Sequence, residues 1–189
     1  TRTSRTTQKK MQYTGCFMST LFRLAVSVLT LSAFLFAWPT VGRSEQGLRG
    51  PVTNLPLPRY VSMKASEGNA RRGPSLTHRI DWVFTRRDMP LRITAEHGHW
   101  RRVEDQDGQG GWIHYSLISG ARTVIVEEHM LGIRSRPDAS APINAALEAG
   151  VIARLGKCGP DWCQVRSGGY RGWARKSALW GIAEGELRD

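Results

Sequence analysis

Two cysteines, Cys158 and Cys163, have a spacing that restricts the chemistry they can perform. They flank the turn-forming tetrapeptide Gly-Pro-Asp-Trp, so their thiols are expected to face each other across the neck of a hairpin. In an oxidising compartment such a pair favours a disulfide, which stabilises a loop this short by about 2 kcal/mol. Free thiols and a metal site are the alternatives, although the spacing is not the C-x-x-C of common zinc sites.

A second group of side chains with metal chemistry lies in the sequence Ala-Glu-His-Gly-His-Trp. His97 and His99 are two residues apart and could share one face of a strand, with Glu96 or His114 as a further ligand. The spacing fixes no third ligand, and a polar hairpin tip accounts for the same residues. We therefore expect no bound metal and no other cofactor.

Residues that could perform catalysis do not form a known catalytic pattern. The sequence has no G-x-S-x-G elbow, no phosphate-binding glycine loop and no H-E-x-x-H helix. Asp105 and Asp107 lie in a predicted turn, and nothing indicates the cleft that a pair of glycosidase carboxylates requires. The sequence therefore predicts a protein that is not an enzyme.

The elements that must position these residues are duplicated along the chain. The pattern W-R-R-V followed by G-W-I-H, from Trp100 to His114, returns as W-C-Q-V followed by G-W-A, from Trp162 to Ala174. Arg71 recurs as Arg134, and all these landmarks repeat at an offset of 61 to 63 residues. We interpret them as two copies of one small all-β unit of about 60 residues.

Short alternating segments between turn signals predict the strands of each copy. In the first copy, residues 60–66 and 80–84 are expected to be strands, with Ile80, Trp82 and Phe84 on one face. Residues 67–75 and their counterparts 129–142 are rich in Gly and Pro and are expected to be irregular loops. Residues 143–150 are expected to form a strand that leads into a turn, with a weak helix as the alternative.

The N-terminal part of the chain is predicted to be an export signal. A polar, basic segment precedes an apolar run that begins at Leu21, and small residues precede a cleavage site before Arg43. The run is short for a membrane span, so an uncleaved anchor is the alternative. The predicted location is therefore the periplasm or the medium, with contact to the membrane only through an uncleaved signal segment.

The domain boundaries follow from the repeat and the export signal. We expect an N-terminal extension and signal peptide, a flexible linker, two barrels and a frayed tail. Their predicted ranges are 1–42, 43–58, 59–120, 121–183 and 184–189, in that order.

The chain is rich in tryptophan and carries a moderate positive charge. The chain has 189 residues, seven of them Trp, which suggests aromatic-rich cores, and Trp112 and Trp173 are expected in those cores. Five basic residues and no acid precede Gly42, which leaves +6 of the net charge of +11 for the rest of the chain. Solvated strand faces account for this charge, and a dedicated anion-binding patch is the alternative.

The repeated unit resembles the bacterial SH3-like (SH3b) domain. The resemblance rests on short strands, a long first loop that carries an Arg followed by Pro, and W-x-x-V and G-W motifs before a closing turn. It covers about Arg59 to Ile182, and the exported tandem SH3-like proteins of proteobacteria are similar to the whole. The second copy departs from the pattern, since it has "GIRSRP" in its loop and two cysteines in its hairpin. The resemblance implies an all-β fold of two tandem small SH3-like barrels.

The resemblance also implies a shallow peptide-binding groove between the long first loop, the second hairpin and the closing turn. In the first unit the candidate groove residues are Tyr60, Asn69, Arg71, Trp82, Trp100 and Tyr115. In the second unit they are Arg134, Trp162 and Trp180.

The function implied by the resemblance is that of an exported, non-catalytic module. We expect it to bind cell-wall peptide (peptidoglycan) or an envelope protein, to act as a monomer and not to bind nucleic acid. The alternatives are a cell-wall hydrolase or metal-dependent enzyme, and a basic protein that binds an anionic polymer or lipid.

Overall fold

The fold of the chain is taken from a computed structural model that describes residues 48–189. The predicted export signal, residues 1–42, lies outside this range. The described residues form two seven-stranded antiparallel sheets, one after the other along the chain. The prediction of an all-β protein with two small barrels in tandem is confirmed. Across residues 48–189, none of the helices has the length and apolar character needed to span a membrane.

The first sheet contains seven strands and one 3-10 turn. The strands are β1 (Arg59–Met63), β2 (Gly68–Arg71), β3 (Ile80–Phe84), β4 (Pro90–His97), β5 (Trp100–Glu104), β6 (Gly110–His114) and β7 (Ile118–Ser119). The 3-10 turn, Tyr115–Leu117, lies between β6 and β7. The strand order is β3-β2-β6-β5-β4-β1-β7.

The second sheet repeats this arrangement strand for strand. Its strands are β8 (Thr123–Val126), β9 (Leu131–Arg134), β10 (Ile143–Leu147), β11 (Ile152–Cys158), β12 (Trp162–Ser167), β13 (Tyr170–Arg175) and β14 (Leu179–Trp180). A 3-10 turn, Lys176–Ala178, precedes β14. The order β10-β9-β13-β12-β11-β8-β14 is that of the first sheet, so each strand of one barrel has a structural counterpart in the other.

Two predicted loops contain a strand. The segment 67–75 includes β2, and its counterpart 129–142 includes β9, so the prediction that both are wholly irregular is wrong. In each strand alternate residues are buried, as Gly68 and Ala70 are in β2. Residues 143–147 form a strand as expected.

Each barrel has its own aliphatic core. The largest buried side chains of the first core include Met63, Phe84 and Leu91, and those of the second include Ile133 and Val165. Such apolar burial is the main source of stability in a domain of this size.

The tryptophans contribute little to these cores. Every Trp among residues 48–189 is half-buried or exposed, so the prediction that Trp112 and Trp173 are core residues is wrong. The reason is strand alternation: Ile113 and Ala174, the next residues, point into the cores, which turns the preceding indole outwards. On the edge strand β3, only Phe84 is buried, and Trp82 is 40% exposed.

The segment that precedes β1 is folded against the first barrel. Where the sequence predicts a flexible linker, Arg49 and Pro56 form a β-bridge and Leu57 is buried in the first core. The backbone N–H groups of Val52 and Thr53 donate hydrogen bonds of 3.1 and 2.9 Å to the Glu96 carboxylate. Residues 48–58 therefore form a cover on the end of β4.

Glu96 is the buried anchor of this cover. The hydroxyl of Thr53 and the guanidinium of Arg59 also donate to its carboxylate, at 2.7 and 2.6 Å. Burial by itself raises the pKa of Glu96, but these hydrogen bonds, together with those from the backbone of Thr53 and Val52, outweigh burial and lower the pKa to about 2.

The C-terminal tail covers the second barrel in an equivalent way. Arg122, the counterpart of Arg59, donates to both carboxylate oxygens of Glu186 at 2.7 and 3.0 Å. Arg188 forms a β-bridge with Cys158. Where the sequence predicts a frayed tail over residues 184–189, the structure therefore has a segment held by an ion pair and by backbone hydrogen bonds.

The two barrels also contact each other directly. The hydroxyl oxygens of Ser62 and Thr123 lie 2.6 Å apart, and the Thr123 hydroxyl donates to the carbonyl of Asp88 at 2.7 Å. The rings of Tyr60 and Trp180 meet edge to face, with 5.3 Å between their centroids. Buried hydroxyls and an aromatic pair therefore hold the barrels side by side.

The Glu96→Gln substitution should loosen the N-terminal cover. We expect it to lower the free energy of unfolding by about 1–3 kcal/mol, because the amide presents a donor to buried donors. Since the folded pKa of about 2 lies below the usual 4.5, the carboxylate stabilises the wild type fully above about pH 4.5, and this stabilisation is lost as the pH falls towards 2.

Urea denaturation at several pH values measures this effect. Glu127→Gln, which changes an exposed carboxylate, is the matched control and should unfold like the wild type. A Glu96→Gln protein with the pH dependence of the wild type would contradict the anchoring role.

Candidate functional site

The loop between β2 and β3 and its counterpart between β9 and β10 are both held by one arginine. The Arg71 guanidinium donates to the carbonyl oxygens of Leu76 and His78, at 3.1 and 2.7 Å. In the second barrel, Arg134 donates to the carbonyl of Ala141, the counterpart of His78, at 2.7 Å. The two arginines expected in the grooves therefore brace these loops from within.

A glycine before the second Trp of each copy allows this loop strand to pack closely. Arg71 pairs with Trp112 across β2 and β6, and Arg134 pairs with Trp173 across β9 and β13. A Cβ on Gly111 would lie 2.6 Å from the carbonyl oxygen of Arg71, which no side chain tolerates. The G-W motif thus reflects a close backbone approach.

The first barrel has a cleft of about 220 Å³ beside this loop. Asn69, Arg71 and Trp100 line it, as the sequence predicts for groove residues. The remaining lining residues are Glu67, Gly68, Leu76, His114 and Leu117. We call this cleft the first groove.

An imidazole and an indole meet in the first groove. The rings of Trp100 and His114 meet edge to face, with 5.6 Å between their centroids. The His114 Nδ1 lies 2.7 Å from the hydroxyl of Ser116, which fixes the plane of the imidazole. The groove therefore offers a half-buried aromatic surface next to a polar group that can either donate or accept a hydrogen bond.

The second barrel has a larger cleft, of about 560 Å³, that overlaps the equivalent position. Its lining shares with the first groove the counterparts of Leu76, Trp100 and His114, whereas Arg134 does not line it. Trp162, the counterpart of Trp100, lines it, and the guanidinium of Arg175 lies 5.2 Å from the indole centroid. Arg175 is the counterpart of His114, so the same place next to the indole holds a permanent cation. The other lining residues are Pro137, Asp138, Ala139, Pro160, Asp161, Lys176 and Ser177. We call this cleft the second groove.

Charges of both signs line the second groove. Asp138 accepts hydrogen bonds from the backbone N–H and the hydroxyl of Ser140, which hold the pKa of its carboxyl below the usual value. The carboxylate of Asp161 is exposed, and Arg175 supplies the cation. The second groove can therefore pair with a ligand that carries both an amine and a carboxylate.

The disulfide belongs to this second groove. Cys158 and Cys163 form the predicted bond, and the residues that they enclose include Pro160, Asp161 and Trp162. The bond therefore fixes the hairpin that presents an indole and a carboxylate to the cleft.

Several predicted groove residues lie elsewhere. Tyr60 and Trp180 contact each other between the barrels, where the Arg122 guanidinium also lies 5.7 Å from the Tyr60 ring centroid. Neither residue lines a groove, because β1 and β14 lie on the side of the sheets where the barrels meet. Trp82 lies on the edge strand β3 and does not line the first groove.

Tyr115 does not line the first groove but contacts its lining residue His114, within a cluster of rings. Its ring centroid is 4.9 Å from that of His114 and 5.6 Å from that of His99. His97 instead contacts Trp112, with 6.5 Å between the ring centroids. Among residues 48–189, no group of three His, Cys, Asp or Glu side chains has the geometry to hold a metal ion.

Two carboxylates that the sequence places in turns have structural roles. The Glu96 carboxylate accepts hydrogen bonds from the N-terminal cover, as described above. Asp105 is buried, and its carboxylate accepts from the backbone N–H groups of Asp107 and Gln109 at 3.0 and 2.8 Å. It therefore closes the β5–β6 turn.

Sequence reasoning missed His114 and Arg175, which lie against the groove indoles. The repeat contained the signal that could have found them. Each is the second residue after the Trp of a G-W motif, and that position follows a buried residue at the end of a strand. An outward-facing side chain next to a tryptophan-led strand is expected at this position.

Comparison with protein families agrees with the duplicated fold. The family described as bacterial SH3 domain matches the chain twice, over residues 64–120 and 127–181. Both matches fall within the two repeats. Comparison with curated proteins finds no match.

Two solved structures similar to the chain are those of NlpC2 and NlpC1 from Trichomonas vaginalis. Both share 16% sequence identity with this chain, with a TM-score of 0.31 over 65% of it. The chain spans 47% of the length of NlpC2 and 45% of that of NlpC1.

Removal of the disulfide should destabilise the second barrel. We expect the Cys158→Ser, Cys163→Ser double variant to lose about 2 kcal/mol of unfolding free energy, because the open hairpin gains chain entropy in the unfolded state. Denaturant titration measures the loss, and addition of dithiothreitol should shift the wild type by a similar amount. The double variant serves as the control, since the reductant should leave its midpoint unchanged. An unchanged wild-type midpoint under reduction would contradict the role of the bond.

Proposed function

Because the chain belongs to the bacterial SH3 domain family, with two copies in tandem, we propose that it is an exported, non-catalytic protein that binds cell-wall peptide. The ligand would lie in the first and second grooves, against Trp100 and Trp162. Bacterial SH3 domains commonly bind cell-wall components, and the two grooves supply the chemistry that such a ligand requires.

The observation that carries the proposal is a half-buried indole in the same place in both barrels. Trp100 and Trp162 each begin a strand and line a cleft. The indole of Trp100 contacts the imidazole of His114, and the indole of Trp162 contacts the guanidinium of Arg175. A partly exposed indole buries apolar area when a peptide covers it, while its N–H group retains a hydrogen bond. Side chains of this type are the usual energetic centres of peptide interfaces.

The charges of the second groove favour a peptide that carries charges of both signs. Asp138 and Asp161 would pair with a free amine, and Arg175 would pair with a carboxylate. A short cell-wall peptide with exposed amines and carboxylates fits this pattern, whereas a neutral sugar chain would leave the charges without partners. An envelope protein with a segment of the same charge pattern is the alternative ligand.

The cysteine chemistry supports both export and a non-catalytic role. Cys158 and Cys163 are joined, and disulfides of this kind persist in oxidising compartments. Because the bond consumes both thiols, neither is available as a nucleophile. Among residues 48–189, the carboxyl group whose pKa is lowered most is that of Glu96, and the cause is hydrogen bonding to the N-terminal cover and not a position in a cleft.

Retention on purified sacculi tests the proposal. The chain from residue 43 onwards should bind sacculi, and Trp100→Ala and Trp162→Ala should each weaken retention about tenfold, because truncation of a central aromatic residue costs roughly 1–2 kcal/mol. Combination of the two substitutions should abolish retention.

Trp82→Ala is the matched control, because it removes an indole that is 40% exposed from a strand outside the grooves. It should be retained like the wild type. Equal losses in all three single variants, or retention that survives the double substitution, would contradict binding in the grooves. Release of soluble fragments from sacculi by the purified chain would contradict the non-catalytic role.

A further inference from the structure

Three arginines form a continuous row across the second sheet, away from both grooves. Arg154 on β11 pairs directly with Arg166 on β12, and Arg166 pairs directly with Arg171 on β13. All three side chains are exposed. Residues that pair directly across strands project from the same face, so the three guanidinium groups share one surface. We call them the arginine row.

The equivalent positions of the first barrel do not carry a row of arginines. The counterparts of Arg154 and Arg166 are Arg92 and Glu104, which pair directly across β4 and β5. Their side chains form an ion pair, with 2.6 Å between the Arg92 Nε and a carboxylate oxygen of Glu104. The counterpart of Arg171 is Gly110. One barrel therefore has an attractive pair where the other has three like charges.

Like charges directly opposite each other across strands are destabilising. Among residues 48–189, the salt bridges involve other basic residues, so the charges of the row are not neutralised by an acid within 4.0 Å. Asp88 lines an adjoining cleft together with Arg154 and Arg166 but forms no ion pair with either. Three like charges that destabilise the folded sheet are explained if the arginine row binds an external anion.

The row also has the shape of a site. A cleft of about 200 Å³ lies along it, lined by the three arginines with Leu155, Gly156, Gln164 and Val165. Gln164 accepts a hydrogen bond of 2.7 Å from Arg171 Nη2, which orients that guanidinium. Gly156 leaves room for the Gln164 side chain, because a Cβ at Gly156 would lie 3.1 Å from Gln164 Oε1. Neighbouring strands are about 4.8 Å apart, so the row spans roughly 10 Å.

We propose that the arginine row binds a ligand with two or more linked phosphate groups. Guanidinium groups donate pairs of parallel hydrogen bonds to phosphate oxygens, and three of them over this span match a chain of neighbouring phosphates better than one carboxylate. The site is independent of the proposed peptide grooves, since it shares no residue with either.

The decisive substitution is Arg166→Glu, which gives the second barrel the residue type that the first barrel has at Glu104. Isothermal titration with tripolyphosphate at about 50 mM salt should show binding to the wild type and at least a tenfold weaker binding to the variant. The melting temperature of the variant should rise by about 2–4 °C, because the introduced carboxylate would pair with Arg154 and Arg171. Lost affinity with retained or increased stability cannot come from unfolding.

The matched control is Arg102→Glu, an equal change of charge at an exposed strand residue of the first barrel. It should change the affinity for tripolyphosphate less than twofold (about 0.4 kcal/mol). Equal losses in both variants would show that only net charge matters and would overturn the site. Absence of wild-type binding would also overturn it. If Arg166→Glu proves unstable, Arg166→Gln, which removes one charge without adding another, should still weaken binding about threefold.

A second arm identifies the source of the phosphate. Vesicles of phosphatidylcholine with cardiolipin, a lipid whose headgroup links two phosphates, are mixed with the same proteins and sedimented. Vesicle binding that Arg166→Glu abolishes and Arg102→Glu retains would assign the site to lipid headgroups. Binding of tripolyphosphate without binding of vesicles would assign it to a soluble phosphate compound.

Discussion

The close approach of two backbone segments in each barrel is the constraint on which both grooves depend. At Gly111 and Gly172 the strand that carries the second Trp passes so near to the carbonyl of Arg71 or Arg134 that a Cβ would clash. Through this contact, the segments 67–75 and 129–142 pair with the sheets as the strands β2 and β9. The same arginines then brace the next turn through backbone carbonyls. A groove wall built in this way is rigid before any ligand arrives, which lowers the entropy cost of binding.

The duplicated scaffold has diverged at equivalent positions, and these differences are informative. Glu96 pairs with Arg101 across β4 and β5, and the equivalent pair across β11 and β12 is the disulfide of Cys158 and Cys163. One barrel thus closes this hairpin with a buried carboxylate under an N-terminal cover, and the other closes it with a covalent bond under a C-terminal cover. The grooves diverge too, because His114 is replaced by Arg175 beside the indole. Two copies with different charges can contact two different parts of one ligand.

The repeat made the fold predictable from sequence, because offsets between tryptophans and glycines report strand pairing directly. The disulfide was predictable for a similar reason, since a short turn lies between its cysteines. Contacts between distant segments were not predictable. Nothing near Tyr60 indicates that it meets Trp180, and nothing near Glu96 indicates that residues 52 and 53 donate to it. Trp112 and Trp173 were misplaced because large apolar side chains suggest burial, whereas strand alternation assigned the inward positions to aliphatic neighbours.

The central claim is that ligand lies against the indoles of Trp100 and Trp162. Nuclear magnetic resonance of the indole N–H groups during titration with a soluble cell-wall peptide tests it most directly, because each Trp gives its own signal. Shifts at Trp100 and Trp162, with the signals of Trp82 and Trp180 unchanged, are the predicted result. Shifts confined to Trp82 or Trp180, with the signals of Trp100 and Trp162 unchanged, would contradict the account.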